Sequence, residues 1–151
     1  MFSKNQKTIK HLKVSLPDKR QDIFIGTNFS SWIIENIASN NYSSFVVFCD
    51  HNIADLYRDF LSEVKTKLKP VEIILVTPTE ANKSIEFLNV CLEKCVAARL
   101  NRNSCLIAIG GGIVGDVAGL PRFSLYEGRR YGFYPDDLNG SRRYNNQQSR
   151  H

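Results

Sequence analysis

Residues 106–119, Leu-Ile-Ala-Ile-Gly-Gly-Gly-Ile-Val-Gly-Asp-Val-Ala-Gly, constrain the fold more than any other stretch. Four apolar residues run into three glycines, and an apolar, helix-like segment follows. This is the order strand, glycine turn, helix start. Glycine lets a backbone approach an anion closely, and the free N–H groups of a helix start point at it. Gly110, Gly112 and Gly115 also satisfy the G-x-G-x-x-G pattern after a predicted strand. Taken alone, the pattern fits a glycine-rich connection in any α/β domain equally well.

The preceding chain fits such a domain. Thr8 to Leu16 alternates polar and apolar residues, 17–20 reads as a turn, and Asp22 to Ile25 as a second strand. Ser30 or Ser31 can cap a helix through about Ser39, with Trp32, Ile33 and Ile37 inward. Phe45 to Cys49 and Val71 to Val76 are continuous apolar runs, as buried parallel strands require. Between them, Asn52 can cap a helix to about Lys67 that Pro70 stops. Asn82 to Leu100 has helical spacing in Ile85, Leu88, Leu92, Cys95 and Val96. Strands alternating with helices predict a Rossmann-like parallel sheet of α/β class with flanking helices, plus an antiparallel hairpin at the start.

Ligands bind such sheets beyond the carboxyl ends of the strands. The first strand of the parallel set ends in Asp50-His51-Asn52. The second leads to Glu80-Ala81-Asn82-Lys83, and the third to the glycine turn and Asp116. In the ordinary dinucleotide fold an acidic residue follows the glycines by roughly 20 positions. Here the candidate, Asp50, precedes them.

Composition narrows the class. Hydrophobic residues make up 42% and charged residues 23%, ordinary for a globular chain. No apolar run approaches the roughly 20 residues of a membrane helix, and Met1 to Leu16 lacks the apolar segment of a secretory signal. The four cysteines, 49, 91, 95 and 105, form no C-x-x-C, so buried thiols in a reducing cytoplasm are expected. The three histidines, 11, 51 and 151, have no metal-ligand spacing.

Three segments together resemble the dehydroquinate synthase family of sugar-phosphate cyclases. Glu80-Ala81-Asn82-Lys83-Ser84 matches its E-x-x-K-S, Gly110 to Gly119 its GGG-x-x-GD-x-AG, and Asp50 and Asn52 its Asp-x-Asn. The resemblance covers roughly residues 9–119. It implies an NAD-binding N-terminal domain over 1–119. Asp50, Asn52, Glu80 and Lys83 would hold the adenosine and ribose side. Gly111, Gly112, Ile113, Val114 and Gly115 would cradle the pyrophosphate, and Asp116 would lie near the nicotinamide. Family enzymes use bound NAD to oxidise a substrate hydroxyl transiently, with a divalent metal, usually zinc, polarising the oxygen. Phosphate then leaves, and ring closure follows. The metal ligands and most substrate-binding residues lie in a helical C-terminal domain, and the chain ends before the segment that would carry it. The expectation is therefore 3-dehydroquinate synthase chemistry, with no catalytic or metal-binding residue in this stretch. The alternatives are a related cyclase, of 2-epi-5-epi-valiolone or 2-deoxy-scyllo-inosose synthase type, and a non-catalytic nucleotide-binding module. Full-length members are typically homodimers; neither nucleic acid nor membrane is expected as a partner.

Past Gly119 the resemblance is expected to stop. Residues 1–119 hold 14 Lys and Arg against 12 Asp and Glu, whereas 120–151 hold six Arg against three acids and no Lys, Ile or Val. Without periodicity or enough apolar surface, 120–151 reads as a disordered tail. The genetic code offers an origin for it. Synonymous codons for Glu127 to Gly140 exist that, read one base later, give R-G-V-D-M-V-F-I-P-T-T-L-M-A. That resembles the family's next segment, so the tail reads as family sequence out of frame.

Overall fold

The computed structural model describes the backbone of residues 9–16, 19–27, 30–125, 131–134 and 142–149, with side chains for 9–15, 22–27 and 30–121. The chain starts with an antiparallel hairpin, β1 (Ile9–Leu16) and β2 (Lys19–Gly26), in the register Ile9 opposite Gly26. Helix α1 (Ser30–Ala38) follows, then β3 (Phe45–Asp50), α2 (His51–Leu56), α3 (Arg58–Lys67) and β4 (Val71–Val76). A 3₁₀ turn (Glu80–Asn82) leads into α4 (Ile85–Ala97), β5 (Cys105–Ile109) and α5 (Gly112–Leu125). Strands β6 (Tyr131–Tyr134) and β7 (Arg142–Ser149) complete a seven-stranded sheet of order β1-β2-β7-β6-β5-β3-β4.

The expected parallel core is present: β3 pairs in parallel with both β4 and β5. Its strands are apolar on both faces because helices cover both. Phe45, Val47, Cys49, Cys105, Ile107 and Ile109 pack under α1 and α3, against Ile33, Ile34, Ile37, Leu61, Val64 and Leu68. Val46, Phe48, Leu106 and Ala108 point the other way, to Cys91 and Cys95 of α4 and Val114, Val117 and Ala118 of α5. A residue period of two therefore feeds two separate cores. All four cysteines are buried free thiols.

Two helices differ from the periodicity. The helix expected over 52–67 breaks at Tyr57, whose φ of −122° and ψ of 51° leave the helical region. Its first part sits on β3 and β4 while α3 packs on α1, so one straight axis cannot serve both. The helix expected over 82–100 starts at Ile85, because Ser84 caps it by accepting a bond from Phe87 N–H at 3.2 Å. It ends in a Schellman turn. Arg99, at φ 52°, donates to the Val96 carbonyl, and Leu100 N–H donates to Cys95 while its side chain enters the core.

Within 120–151, which the sequence reads as a disordered tail, the described residues carry helix and strand. Helix α5 continues through Pro121 to Leu125. β6 then pairs in parallel with β5, and β7 pairs antiparallel with both β6 and β2. The physical reason lies in the backbone. β5 and β2 would each present unpaired N–H and C=O groups, and a chain laid between them satisfies those groups whatever its side chains are. Residues 126–130, 135–141 and 150–151 lie outside the described residues.

Candidate functional site

Three loops meet at the carboxyl edge of β3, β4 and β5. The first begins at Asp50, which ends β3 and caps α2 by accepting a 2.8 Å bond from Asn52 N–H. Asp50 is 9% exposed. Asn52 enters this geometry through its backbone N–H, and its side chain is exposed. Below Asp50, burial pushes the Cys49 thiol up to about 12, and the neighbouring Asp50 charge adds to the shift.

The second loop is the glycine turn. Gly110 has φ +154°, open to glycine alone in practice. A Cβ there would lie 2.7 Å from Val114 Cγ2 and 3.1 Å from Asp50 Cβ. Gly110 is thus the hinge on which the turn folds back over its own helix and against the end of β3. Gly111 and Gly112 are the opposite case, with nothing within 4 Å of where a Cβ would stand. Helix α5 closes its first turn with Gly115 N–H donating to the Gly111 carbonyl at 3.1 Å. The N–H groups of Gly112, Ile113 and Val114 precede that bond and lie at the positive end of the helix dipole. Val114 is fully buried, so its part in any anion site is played by its N–H.

The third loop follows β4. Asn82 braces it by donating through Nδ2 to the Thr77 carbonyl at 2.6 Å. The bracing aims Lys83 across the end of β3 toward α5. Lys83 Nζ lies 3.0 Å from Asp116 Oδ2 and 3.3 Å from Glu80 Oε2. Its ammonium is held above its usual range, first by the hydrogen bond to Asp116 and then by that to Glu80.

Glu80, Lys83 and Asp116 therefore meet in one ion-pair chain, at the first turns of α5. Asp50 stands against the root of the same turn. Sequence reading placed Lys83 and Asp116 on opposite sides of a ligand, and the fold joins them. It gave no special role to Asn82 or Ser84. Their signal was present in Asn82-Lys83-Ser84-Ile85, a turn residue and a helix cap at the spacing a loop-to-helix junction needs. Among the described residues no three His, Cys, Asp or Glu side chains converge on one point, so a divalent metal finds no ligand set there.

Comparison with known proteins bears on this geometry. The family profile for the 3-dehydroquinate synthase N-terminal region matches residues 73–136, which takes in the loop after β4, the glycine turn, α5 and β6. The similarity so runs beyond Gly119, where the sequence reading had it stop. The 3-dehydroquinate synthase of Rhizobium etli is 32% identical over 132 residues, 86% of this chain and 35% of its own length. That of Endomicrobium trichonymphae is 29% identical over 131 residues. The 2-deoxy-scyllo-inosose synthase of Streptomyces paromomycinus is 28% identical over 116 residues, 30% of its length. The chain thus spans about a third of the length of these relatives. Among solved structures, 2-deoxy-scyllo-inosose synthase complexed with carbaglucose-6-phosphate, NAD+ and Co2+ superposes with a TM-score of 0.70 at 21% identity, over 83% of this chain and 34% of its own. No described helix is long and apolar enough to cross a membrane.

Proposed function

Since the chain belongs to the dehydroquinate synthase family of sugar-phosphate cyclases, we propose that it is the NAD-binding portion of a cytoplasmic cyclase of the 3-dehydroquinate synthase type. The observation that carries this reading is the contrast within the glycine turn. Gly110 is packed tight against Val114 and Asp50, whereas the space over Gly111 and Gly112 is open at a helix start. A dinucleotide pyrophosphate fits that opening, where it would accept hydrogen bonds from the Gly112, Ile113 and Val114 N–H groups. Asp50 stands at the position from which a carboxylate can accept from ribose hydroxyls. Glu80 and Lys83 line the rim beyond it, and Asp116 faces the same opening one helical turn from Gly112. When bound, the nicotinamide supplies a hydride acceptor. The chain's own residues orient it and keep its pyrophosphate on the helix axis.

The 2-deoxy-scyllo-inosose synthase reading uses the same site with a different sugar phosphate, and nothing in these residues separates the two substrates. Titration calorimetry with NAD tests the proposal. Measurable binding that weakens in Asp116→Ala and Gly112→Val is the expected result. Equal affinity in both variants and the parent would refute the site.

A further inference from the structure

Lys83 brings one ammonium to two carboxylates on different elements, and the backbone beneath it decides whether it can. Glu80 stands three residues before it in the same turn, so that pair, at 3.3 Å, is local. Asp116 stands on α5, beyond β5 and the glycine turn, and that pair, at 3.0 Å, is not. A lysine stem is flexible with its charge at the tip, so a long contact costs side-chain freedom unless the chain carrying it is fixed. Here it is fixed from both sides. Behind Lys83, Asn82 Nδ2 donates to the Thr77 carbonyl at 2.6 Å, and Thr79 N–H donates to the same oxygen at 2.8 Å. Asn82 N–H closes the loop by donating to the Thr79 carbonyl at 3.0 Å. Ahead of Lys83, Ser84 caps α4. The cap fixes only the start of α4, whereas Asn82 ties Lys83 to the end of β4. Among the described residues no other side chain of 77–82 is hydrogen-bonded to that strand end. In the E-x-x-K-S pattern Asn82 falls on an unspecified position, so the tie belongs to this chain.

We propose that Asn82 is a positioning residue for nucleotide binding: it makes no contact with the nucleotide and sets the affinity by holding Lys83 on Asp116. The proposal rests on the NAD site inferred above. With the tie in place, the ammonium neutralises Asp116 on the first turns of α5, where a pyrophosphate is to be met by N–H groups at the positive end of the helix. Without it, the loop after β4 moves off the strand end. Lys83 then keeps its local partner Glu80 and loses its distant one. Asp116 is left as an uncompensated negative charge beside the incoming anion, and like charges repel. The bond from Asn82 is itself exposed to water, and the Thr77 carbonyl keeps Thr79 N–H as a donor when it is lost. Water takes up the remaining lone pair. The loss therefore falls on the site and hardly on the stability of the fold.

Asn82→Ala removes the donor and adds no charge. Calorimetric titration of the whole chain with NAD should show affinity weakened about threefold or more, with the urea midpoint unmoved. Asn89→Ala, the same change at an exposed position of α4, should alter neither. Two readouts separate positioning from a merely structural part. In a Lys83→Met background Asn82→Ala should weaken binding no further, because no ammonium is left to hold. In the absence of nucleotide, NMR titration of the Lys83 side chain should show its raised value falling back toward 10.5 in Asn82→Ala, since Asp116 is the larger cause of the rise. The alkaline fall in NAD affinity should then begin at lower pH. Equal NAD affinity in Asn82→Ala and the parent overturns the proposal and leaves the NAD site standing. An equal further loss in the Lys83→Met background overturns it too, since Asn82 would then act through another group. So does a Lys83 titration that Asn82→Ala leaves unmoved. A parent chain that binds no NAD overturns the nucleotide site and this role together.

Discussion

Two glycines two positions apart should respond in opposite ways to a side chain. Take Gly110→Ala first. The new Cβ would stand 2.7 Å from Val114 Cγ2, 3.0 Å from Val114 Cβ and 3.1 Å from Asp50 Cβ. Neither neighbour can give way easily, because Val114 is fully buried and Asp50 is tied into the cap of α2. Overpacking of this kind costs about 1–3 kcal/mol. The φ of +154° adds backbone strain of about 1–3 kcal/mol for any residue with a Cβ. The sum, about 2–6 kcal/mol, is a large share of the roughly 5–15 kcal/mol that holds a domain together. Gly112→Val meets nothing within 4 Å. It also replaces glycine within a helix, where glycine is the poorest ordinary residue by about 1 kcal/mol relative to alanine. Its stability should stay within about 0.5 kcal/mol of the parent. Its affinity for NAD should fall tenfold or more, because its side chain fills the space a pyrophosphate needs. Urea unfolding followed by circular dichroism, with calorimetric NAD titration, reads both quantities. Gly110→Ala should shift the urea midpoint and Gly112→Val the affinity. An unmoved midpoint in Gly110→Ala would refute the packing argument. A destabilised Gly112→Val with unchanged affinity would refute the assignment of open space to a ligand.

Three further outcomes are expected. The Lys83 ammonium is held above 10.5 by Asp116 and Glu80, so its pairing is complete below that pH and lost as pH rises through the raised value. NAD affinity should be flat from about pH 7 to pH 10 and fall beyond, and in Lys83→Met that alkaline fall should vanish; a fall of equal size in the variant would clear Lys83 of the role. Ser104, 1% exposed, lies 2.6 Å from Ser44 Oγ and accepts from Asn101 N–H at 2.9 Å. Ser104→Ala strands both partners, so chemical denaturation should show a loss of about 1–3 kcal/mol. Burial pushes the Cys49 thiol to about 12, so a thiol reagent at about pH 8 should label native protein far more slowly than urea-unfolded protein; fast labelling without urea would mean that the core under α1 opens readily.

The parallel core was legible because burial on both faces writes itself as uninterrupted apolar sequence. Phe45 to Asp50 and Val71 to Val76 need no neighbours to be recognised. The glycine turn was legible for a related reason, since three glycines in a row have few uses outside a close approach. β7 was not. Arg-Arg-Tyr-Asn-Asn-Gln-Gln-Ser carries no strand periodicity, and it forms because edges on either side need partners. Strand preference of that origin depends on tertiary context and leaves little local trace. The contact of Lys83 with Asp116 was hidden for another reason. It depends on how far the loop after β4 reaches over the end of β3, and the hydrogen bond from Asn82 to Thr77 sets that reach. Sequence shows which residues belong to the loop ends, and only the brace shows which of them touch.

The position of β7 also bears on the order in which the chain folds. Residues 19–26 pair with residues 142–149, so the first hairpin joins the rest of the sheet through a segment that follows β3, β4 and β5 in the chain. During synthesis the hairpin emerges before β3, β4 and β5 and waits for the later strand that joins it to them. The unit β3-α2-α3-β4 closes over a short separation and β5 then pairs along the other side of β3, so the parallel core can assemble meanwhile. Docking of the hairpin closes a long loop, which is costly in entropy and slow. The glycine turn and its ion pairs lie wholly in the early part. A refolding experiment should therefore recover nucleotide binding before it recovers protection of the β2 amides.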